Sequence, residues 1–407
     1  MADEVKYLVG GEIAEVKPLP PFDEVVCNFL AEVSEEIFRD KECKPYSDIT
    51  AVAFWFRRGN VMRLKKHRAD DFIRLGRGIA FHITPSNIPV QFIFSYAFGL
   101  LSGNANIVRV TSKEFPQIDL LCNVLNRVLS REEFSAVRKL TGIVRYGRES
   151  GMTAEYSAKC NVRLIWGGDE TIADIRKNPL PPRGIDITFA DRYSIAFLNS
   201  DAVLRASDAE LNRLAKNFYN DTFLMDQNAC SSPQLILWSK DGSEDSAKEK
   251  FWGAVERIVR DQYDLTASAA SEKYTDFCRN AIRFADSGEL IRHDNYIYRA
   301  KVRQLFEGIE NLRGKFGLFY EFDINDLSEL DGVVSEKFQT LTYFGFEPRG
   351  LASTVAENSW LGIDRIVPIG KALDLIDIWD GFDLINEMLR ILQSRVLCDK
   401  FGVLVEF

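Results

Sequence analysis

Gly78 to Val108 reads GIAFHITPSNIPVQFIFSYAFGLLSGNANIV and contains no Asp, Glu, Lys or Arg. An uncharged run of this length could cross a bilayer, where about 20 apolar residues suffice. Its interior argues otherwise. Pro85, Ser86, Asn87 and Pro89 break the first half, and Asn104 and Asn106 sit in the second. Broken backbone in lipid has to be buried by other helices, and the sequence has no second segment of this kind. The alternative is a buried strand at Ile79–Ile83, a polar turn, a buried helix at Val90–Leu101 and a second buried strand at Ala105–Val110. That order belongs to a parallel sheet covered by helices on both faces.

The pattern repeats along the chain. A helix is expected at Gln117–Ser130 and strands at Gly142–Tyr146, Cys160–Ile165 and Ile185–Phe189. The Gly-Gly turn after Trp166 opens a further helix. This is a doubly wound nucleotide-binding pattern. After Asp191 it restarts, with strands at Ser194–Leu198 and Leu235–Trp238 and helices at Asp208–Tyr219, Ser246–Tyr263 and Glu272–Phe284. Short strands follow at Leu341–Phe344 and Arg365–Pro368, then a helical tail at Asp374–Gln393 interrupted at Trp379–Gly381. Three regions are expected: 1–190 with the nucleotide-binding domain, 191–372 as a catalytic domain, and a C-terminal helical tail at 373–407. A cleft between the two domains is the expected ligand site.

Composition excludes several classes. The 407 residues carry 51 Lys and Arg against 60 Asp and Glu, a net charge of −9. No basic block stands out, so nucleic acid is not an expected partner. The N-terminus has early acids and no apolar core after a basic start, so no signal peptide is read and a cytoplasmic location is expected. The seven cysteines are then expected as reduced thiols, and with no CxxC pair and three histidines no zinc site is expected. His67, His82 and His293 read as structural or surface residues. The 29 phenylalanines suit a large core as well as an acyl tunnel.

Four short stretches could carry chemistry. In DQNACSSPQLILW, Asp226–Trp238, Cys230 lies among small residues that give a carbonyl access, and the amides before Pro233 could face an oxyanion. The same thiol could instead be an inert residue in a turn. In ITPSNIP, Ile83–Pro89, Asn87 sits in a turn held by two prolines and could donate to an oxyanion or cap its own backbone. In IVRVTSKEF, a strand ends in Arg109, Thr111, Ser112 and Lys113, where nucleotides bind in parallel sheets or where a surface loop begins. In WGGDETIADIR, Gly167 and Gly168 enter a helix, as in an anion-binding turn or any strand-to-helix connection.

Taken in order, these stretches resemble the aldehyde dehydrogenase superfamily. TPSNIP is similar to its oxyanion-asparagine motif, GNANIVRVTS to its Gly-Asn-x-x-x-x-Lys-Pro strand with Arg109 in place of lysine, WGGDET to its Gly-Ser turn and NACSSPQ to its catalytic cysteine segment. QNACSSPQ, FQTLTYFG and DRIVPIG…WDG further resemble the long-chain acyl-CoA reductase family of bacterial luminescence operons, over about Gly76 to Arg390. The resemblance implies an α/β fold with a doubly wound nucleotide-binding domain and a second α/β catalytic domain. It implies Cys230 as nucleophile, with Asn87 and the Cys230 N–H holding an oxyanion. It implies cofactor contacts from Thr84, Pro85, Ser86, Arg109, Thr111, Ser112, Lys113, Gly167, Gly168, Thr171 and Thr188.

Three departures bear on the reaction and its cofactor. Thr188 stands where ordinary aldehyde dehydrogenases have the glutamate that activates water, and a threonine cannot be that base. This favours reductive, CoA-linked chemistry over release of a free acid. Thr342 stands near where many relatives have a ribose-binding glutamate. Ser112 and Lys113 occupy the place of a carboxylate that would repel a 2′-phosphate, so NADPH is expected in preference to NADH. The expected activity is reduction of a fatty acyl-CoA to an aldehyde. An acyl-phosphate reductase, another aldehyde dehydrogenase and a non-catalytic scaffold stay open as alternatives. The resemblance also implies a homo-oligomer and an acyl-protein synthetase partner.

Overall fold

The computed structural model describes residues 5–14, 16–66, 72–284, 287–374 and 376–392. His67 and the tail beyond residue 392 fall outside them. The chain divides into two compact units, Met1–Ala190 with Phe382–Phe407, and Asp191–Gly381.

The first unit holds strands β1 (Lys6–Gly10), β2 (Ile73–Gly76), β3 (Ile79–Ile83), β4 (Ala105–Arg109), β5 (Thr141–Arg145), β6 (Val162–Trp166) and β7 (Ile185–Phe189). Six of them form a sheet in the order β1-β5-β4-β3-β6-β7. β3 to β7 run parallel, and β1 is antiparallel to β5. The chain therefore winds outward from β3 through β4 to β5, then returns to the other side of β3 for β6 and β7. In such a sheet a ligand crevice opens beyond the carboxyl ends, where the direction of winding reverses.

The uncharged run is the heart of this unit. All eleven residues of the helix Gln91–Leu101 are buried. Aromatic side chains of the preceding helices, Glu24–Arg39 and Ser47–Phe56, cover it: Phe29 meets Tyr96, and Trp55 meets Phe94 and Phe98, edge to face. Burial of each such ring stabilises by about 2 kcal/mol. No helix of the described residues is long and apolar enough to cross a membrane.

The polar atoms inside this run satisfy one another. Asn106 Nδ2 donates to the Asn104 carbonyl (2.7 Å), which turns Asn106 Oδ1 towards His82 Nε2 (3.0 Å). His82 must then carry its proton on Nε2, and its Nδ1 accepts from Ser95 Oγ (2.8 Å). Ser95 Oγ in turn accepts from Trp166 Nε1 (3.1 Å). Burial pushes the His82 imidazole down to about 4, with the Asn106 bond opposing, so it stays neutral. The network ties β3, β4, β6 and the helix together. Gly99 is part of it, because a Cβ there would overlap Asn106 Oδ1.

The second unit holds β8 (Tyr193–Leu198), β9 (Pro233–Ser239), β10 (Ser287–His293), β11 (Ile297–Val302), β12 (Leu318–Ile324), β13 (Phe338–Phe344) and β14 (Arg365–Pro368). Their order is β10-β11-β12-β9-β8-β13-β14, all parallel except β10 against β11. β11 and β12 each bury a charge. Arg299 Nε donates to Glu321 Oε2 (2.9 Å), and the indole N–H groups of Trp238 and Trp252 donate to Glu321 Oε1 (3.0 and 2.7 Å). His293 Nδ1 lies 2.7 Å from Glu256 Oε2.

The expected helical tail is a correction. Ile378–Trp379 (β15) and Phe382–Asp383 (β16) are two-residue strands, Leu384–Glu387 is one helical turn, and Leu389–Leu392 (β17) pairs antiparallel with β2. Asp380 and Gly381 both have left-handed backbone, φ +48° and +74°, which an α-helix cannot continue through.

Gly99→Ala tests the buried network. In an ordinary helix this change stabilises by about 0.5–1 kcal/mol. Here the added methyl displaces Asn106, and urea unfolding is expected to show a loss of about 2 kcal/mol or more. Equal or higher stability would contradict the assigned packing.

Candidate active site

The residues singled out in the first half of the sequence gather at one edge of its sheet. Thr84, Pro85, Ser86 and Asn87 follow β3, Arg109 ends β4 with Thr111, Ser112 and Lys113 after it, Gly167 and Gly168 follow β6, and Thr188 is the last residue but one of β7. All lie at the carboxyl ends of parallel strands. Thr84 binds the end of β4, its Oγ1 and N–H both donating to the Arg109 carbonyl (2.8 and 3.2 Å). Ser86, Asn87, Ser112 and Lys113 are exposed.

A nucleotide fits this edge on two observations. Arg109 Nε is buried and has no hydrogen-bond partner, and its guanidinium lies 4.9 Å from the Tyr146 ring centre. Burial pulls its pKa down, so a nearby anion would relieve it. Lys113, unlike Arg109, is exposed on the loop that Thr111 Oγ1 steadies by accepting the Lys113 N–H (3.2 Å). The Gly167–Gly168 turn is a weaker anion cradle. Its helix, Asp169–Arg176, carries Asp169 and Glu170 in the first turn, and these acids oppose an anion at the same N–H groups. Gly167 packs against Thr171, and Thr188 Oγ1 accepts from Arg176 Nη2 at 3.5 Å.

Cys230 belongs to the second unit. It lies in a turn between the helix Asp208–Thr222 and the start of β9. Asp226 and Gln227 reverse the chain with left-handed backbone, φ +51° and +63°. Gln227 is buried, its Nε2 donating to the carbonyls of Pro233 (3.2 Å) and Leu318 (2.9 Å) and its Oε1 accepting from the Gly317 N–H (3.1 Å). Ser232 Oγ donates to the Asp221 carbonyl (2.7 Å). Ser194 Oγ donates to the Cys230 carbonyl (2.7 Å) and accepts the Thr340 N–H (3.2 Å). The turn is thus pinned on both sides of the sulfur.

Three residues to which sequence reasoning gave no role are linked to that sulfur in series. Gln339 Nε2, on β13, donates to Cys230 Sγ at 3.5 Å and also to Asp380 Oδ1. Arg192 Nε faces Asp380 Oδ2 at 3.5 Å. Gln339 and Asp380 stand in FQTLTYFG and WDG, segments visible in the sequence as resemblances only. Nothing in their spacing, 109 residues from Cys230 to Gln339, announces that they meet. Cys230 is half-buried, whereas Cys27, Cys43, Cys122 and Cys160 are buried. Burial and then the Asp380 carboxylate push the Cys230 thiol up to about 11, with the Gln339 N–H opposing. Among the described residues no group of three or more His, Cys, Asp or Glu is placed to hold a metal ion.

Solved structures share this fold. Glyceraldehyde-3-phosphate dehydrogenase GapN from Methanocaldococcus jannaschii, in complex with NADP, matches with TM-score 0.62 and 15% identity over 91% of this chain and 88% of its own. Aldehyde dehydrogenase 21 from Physcomitrella patens matches with TM-score 0.64 and 14% identity over 90% and 85%. A NAD-dependent benzaldehyde dehydrogenase from Corynebacterium glutamicum gives 0.60 and 14% over 95% and 97%. The sequence matches none of the curated proteins with which it was compared. The α/β fold is therefore one that this chain shares with aldehyde dehydrogenases of known structure. Within it, residues 58–276 match the family described as acyl-CoA reductase (LuxC). The chain belongs to that family and is an oxidoreductase of the acyl-CoA reductase class.

The raised thiol pKa has a direct reading. A thiolate reacts and a thiol does not. Alkylation of Cys230 by iodoacetamide, followed by peptide mass spectrometry, is expected to speed up about tenfold per pH unit from pH 7 to 10. A plateau below pH 9 would contradict the environment described.

Proposed function

We propose that this protein reduces an acyl-CoA to the aldehyde through an acyl group carried on Cys230. The observation that supports it is the half-buried residue Cys230, in a turn pinned by Ser194, Ser232 and Gln227, with a side-chain N–H directed at its sulfur. Cys230 Sγ attacks the thioester carbonyl, and the CoA sulfur leaves with the electron pair of the broken C–S bond. The Cys230 backbone N–H and the Asn87 amide are the proposed donors to the oxyanion. When bound, NADPH supplies the hydride that brings the acyl group to the aldehyde level. Cys230 then departs as a thiolate and regains its proton.

Arg109, Thr111, Ser112 and Lys113 are proposed to hold the adenosine half of the cofactor, with the two cations on the 2′-phosphate. Thr84, Pro85, Ser86, Gly167, Gly168, Thr171 and Thr188 complete the proposed contacts. Thr188 supplies no base for water, which keeps the acyl-cysteine available for reduction. The acyl donor is a fatty acyl-CoA, with an acyl-protein synthetase as a further source. A second copy of the chain is the proposed partner, because Phe72, Ile73, Ile391 and Leu392 on the β2–β17 ribbon are exposed. A cytoplasmic setting, where free thiols persist, suits this reading.

Two measurements test it. Cys230→Ser is expected to lower NADPH-dependent acyl-CoA reduction by more than about 10³-fold with the fold intact; full turnover would overturn the nucleophile. Lys113→Glu is expected to raise the KM for NADPH about tenfold or more while leaving that for NADH nearly unchanged. An equal change for both cofactors would remove Lys113 from the 2′-phosphate.

A further inference from the structure

We infer that Gln339 is the residue that meets the charge on the Cys230 sulfur, and that Asp380 is the residue that turns it to do so. The inference rests on Cys230 being the nucleophile. A glutamine amide has a donor end and an acceptor end of nearly the same shape. Only the NH₂ end helps a thiolate; the oxygen end would repel it.

The neighbours of Gln339 decide which end faces the sulfur. Burial pushes the Asp380 carboxyl up, with Arg192 and the Gln339 N–H opposing; as a carboxylate it only accepts hydrogen bonds, and its Oδ1 receives a Gln339 N–H. The second N–H of the same nitrogen then points at Sγ, 3.5 Å away. Thr340 Oγ1 donates to Gln339 Oε1 at 3.4 Å, a contact compatible with that orientation. Among the described residues, Gln339 is the side chain that donates a hydrogen bond to this sulfur.

Asp380 is placed for this task and for little else. Its side chain has no exposed surface, and a buried carboxylate keeps its charge only with partners. Those partners are Arg192, facing Oδ2, and Gln339 itself. The left-handed turn at Asp380 and Gly381 aims the carboxylate. Trp379, just before it, packs on the Arg365 guanidinium at 5.0 Å. The charged groups that act on Cys230 are Asp380 and Arg365, while Arg192 and Asp364 act on Asp380. Arg365 Nη1 and Nη2 donate to the carbonyls of Lys371, Ala372 and Asp374, while its Nε has no hydrogen-bond partner. Gln339 Nε2 is the side-chain donor within hydrogen-bond reach of the sulfur, beside the backbone N–H groups of Cys230 and Ser231.

The sulfur carries charge twice in the reaction. It does so when the thiol proton has gone to solvent and the electron pair awaits the thioester carbon. It does so again when the carbon–sulfur bond breaks to release the aldehyde. In the acyl-cysteine between them the sulfur is neutral and the N–H has little to bind. Gln339 therefore stabilises the charged states without deepening the intermediate, which is what raises turnover. Asp380 acts through Gln339 and is a positioning residue.

Two variants test Gln339. Gln339→Glu keeps the shape and removes the N–H donors; Gln339→Leu removes both ends. Thermal melting checks that each folds. Both are expected to slow iodoacetamide alkylation of Cys230 by about ten- to a hundredfold at each pH between 7 and 10, with a parallel fall in reductase kcat. Asparagine tolerates the left-handed turn, so Asp380→Asn tests positioning. It is expected to cost about tenfold or more in kcat when Gln339 is present, and less than about twofold in the Gln339→Leu background. Gln339→Glu alkylating at the wild-type rate with full turnover would overturn the role of Gln339. An equal cost of Asp380→Asn in both backgrounds would overturn that of Asp380. Alkylation reads the sulfur whether or not it is the nucleophile, so active Cys230→Ser would sink the nucleophile alone.

Discussion

An uncharged chain segment can be buried only if its few polar atoms find partners within the same core. Gly78–Val108 meets that condition through one chain of hydrogen bonds, from Trp166 through Ser95 and His82 to Asn106. Much else in the first unit follows from it. The bonds fix which face of β3 meets the helix Gln91–Leu101 and hold β3, β4 and β6 side by side. The loops after those three strands carry most of the residues proposed to bind a nucleotide. A neutral, locked histidine beneath them gives those loops a rigid floor.

The second unit uses buried polar groups in two ways. The Arg299–Glu321 pair is fully answered, by each other and by two indole N–H groups, and it holds strands together. Around Cys230 the satisfaction is incomplete. Gln339 has a donor turned to a weak acceptor, a thiol sulfur, and the buried Asp380 carboxyl faces a single arginine and one amide. A donor with no strong acceptor is ready for a charge that comes later. Burial and the same carboxylate push the resting thiol up, towards its protonated form.

The residues that read clearly from sequence were those whose signal is local. The strands flanking Asn87, the buried helix and the strand ends at Arg109 and Thr188 follow from hydrophobic runs and turn residues. β11 and β12 did not, because Arg299 and Glu321 break the apolar pattern of each strand and cancel only when the two lie side by side. The tail looked helical because its apolar spacing suits a helix, while the left-handed pair Asp380–Gly381 and the pairing of β17 with β2 overrule that spacing. Cys230 was visible from its small neighbours. Gln339 and Asp380 were not, since a glutamine in an apolar strand and an aspartate before a glycine each have an ordinary local explanation.

Cys230 is proposed to take an acyl group from CoA and keep it until hydride arrives. Intact-protein mass spectrometry after mixing the protein with acyl-CoAs of several chain lengths, without nicotinamide cofactor, tests this most directly. A single acyl adduct is expected that maps to Cys230, persists in water and disappears when NADPH is added. No adduct from any acyl-CoA, or an adduct on another residue, would contradict it.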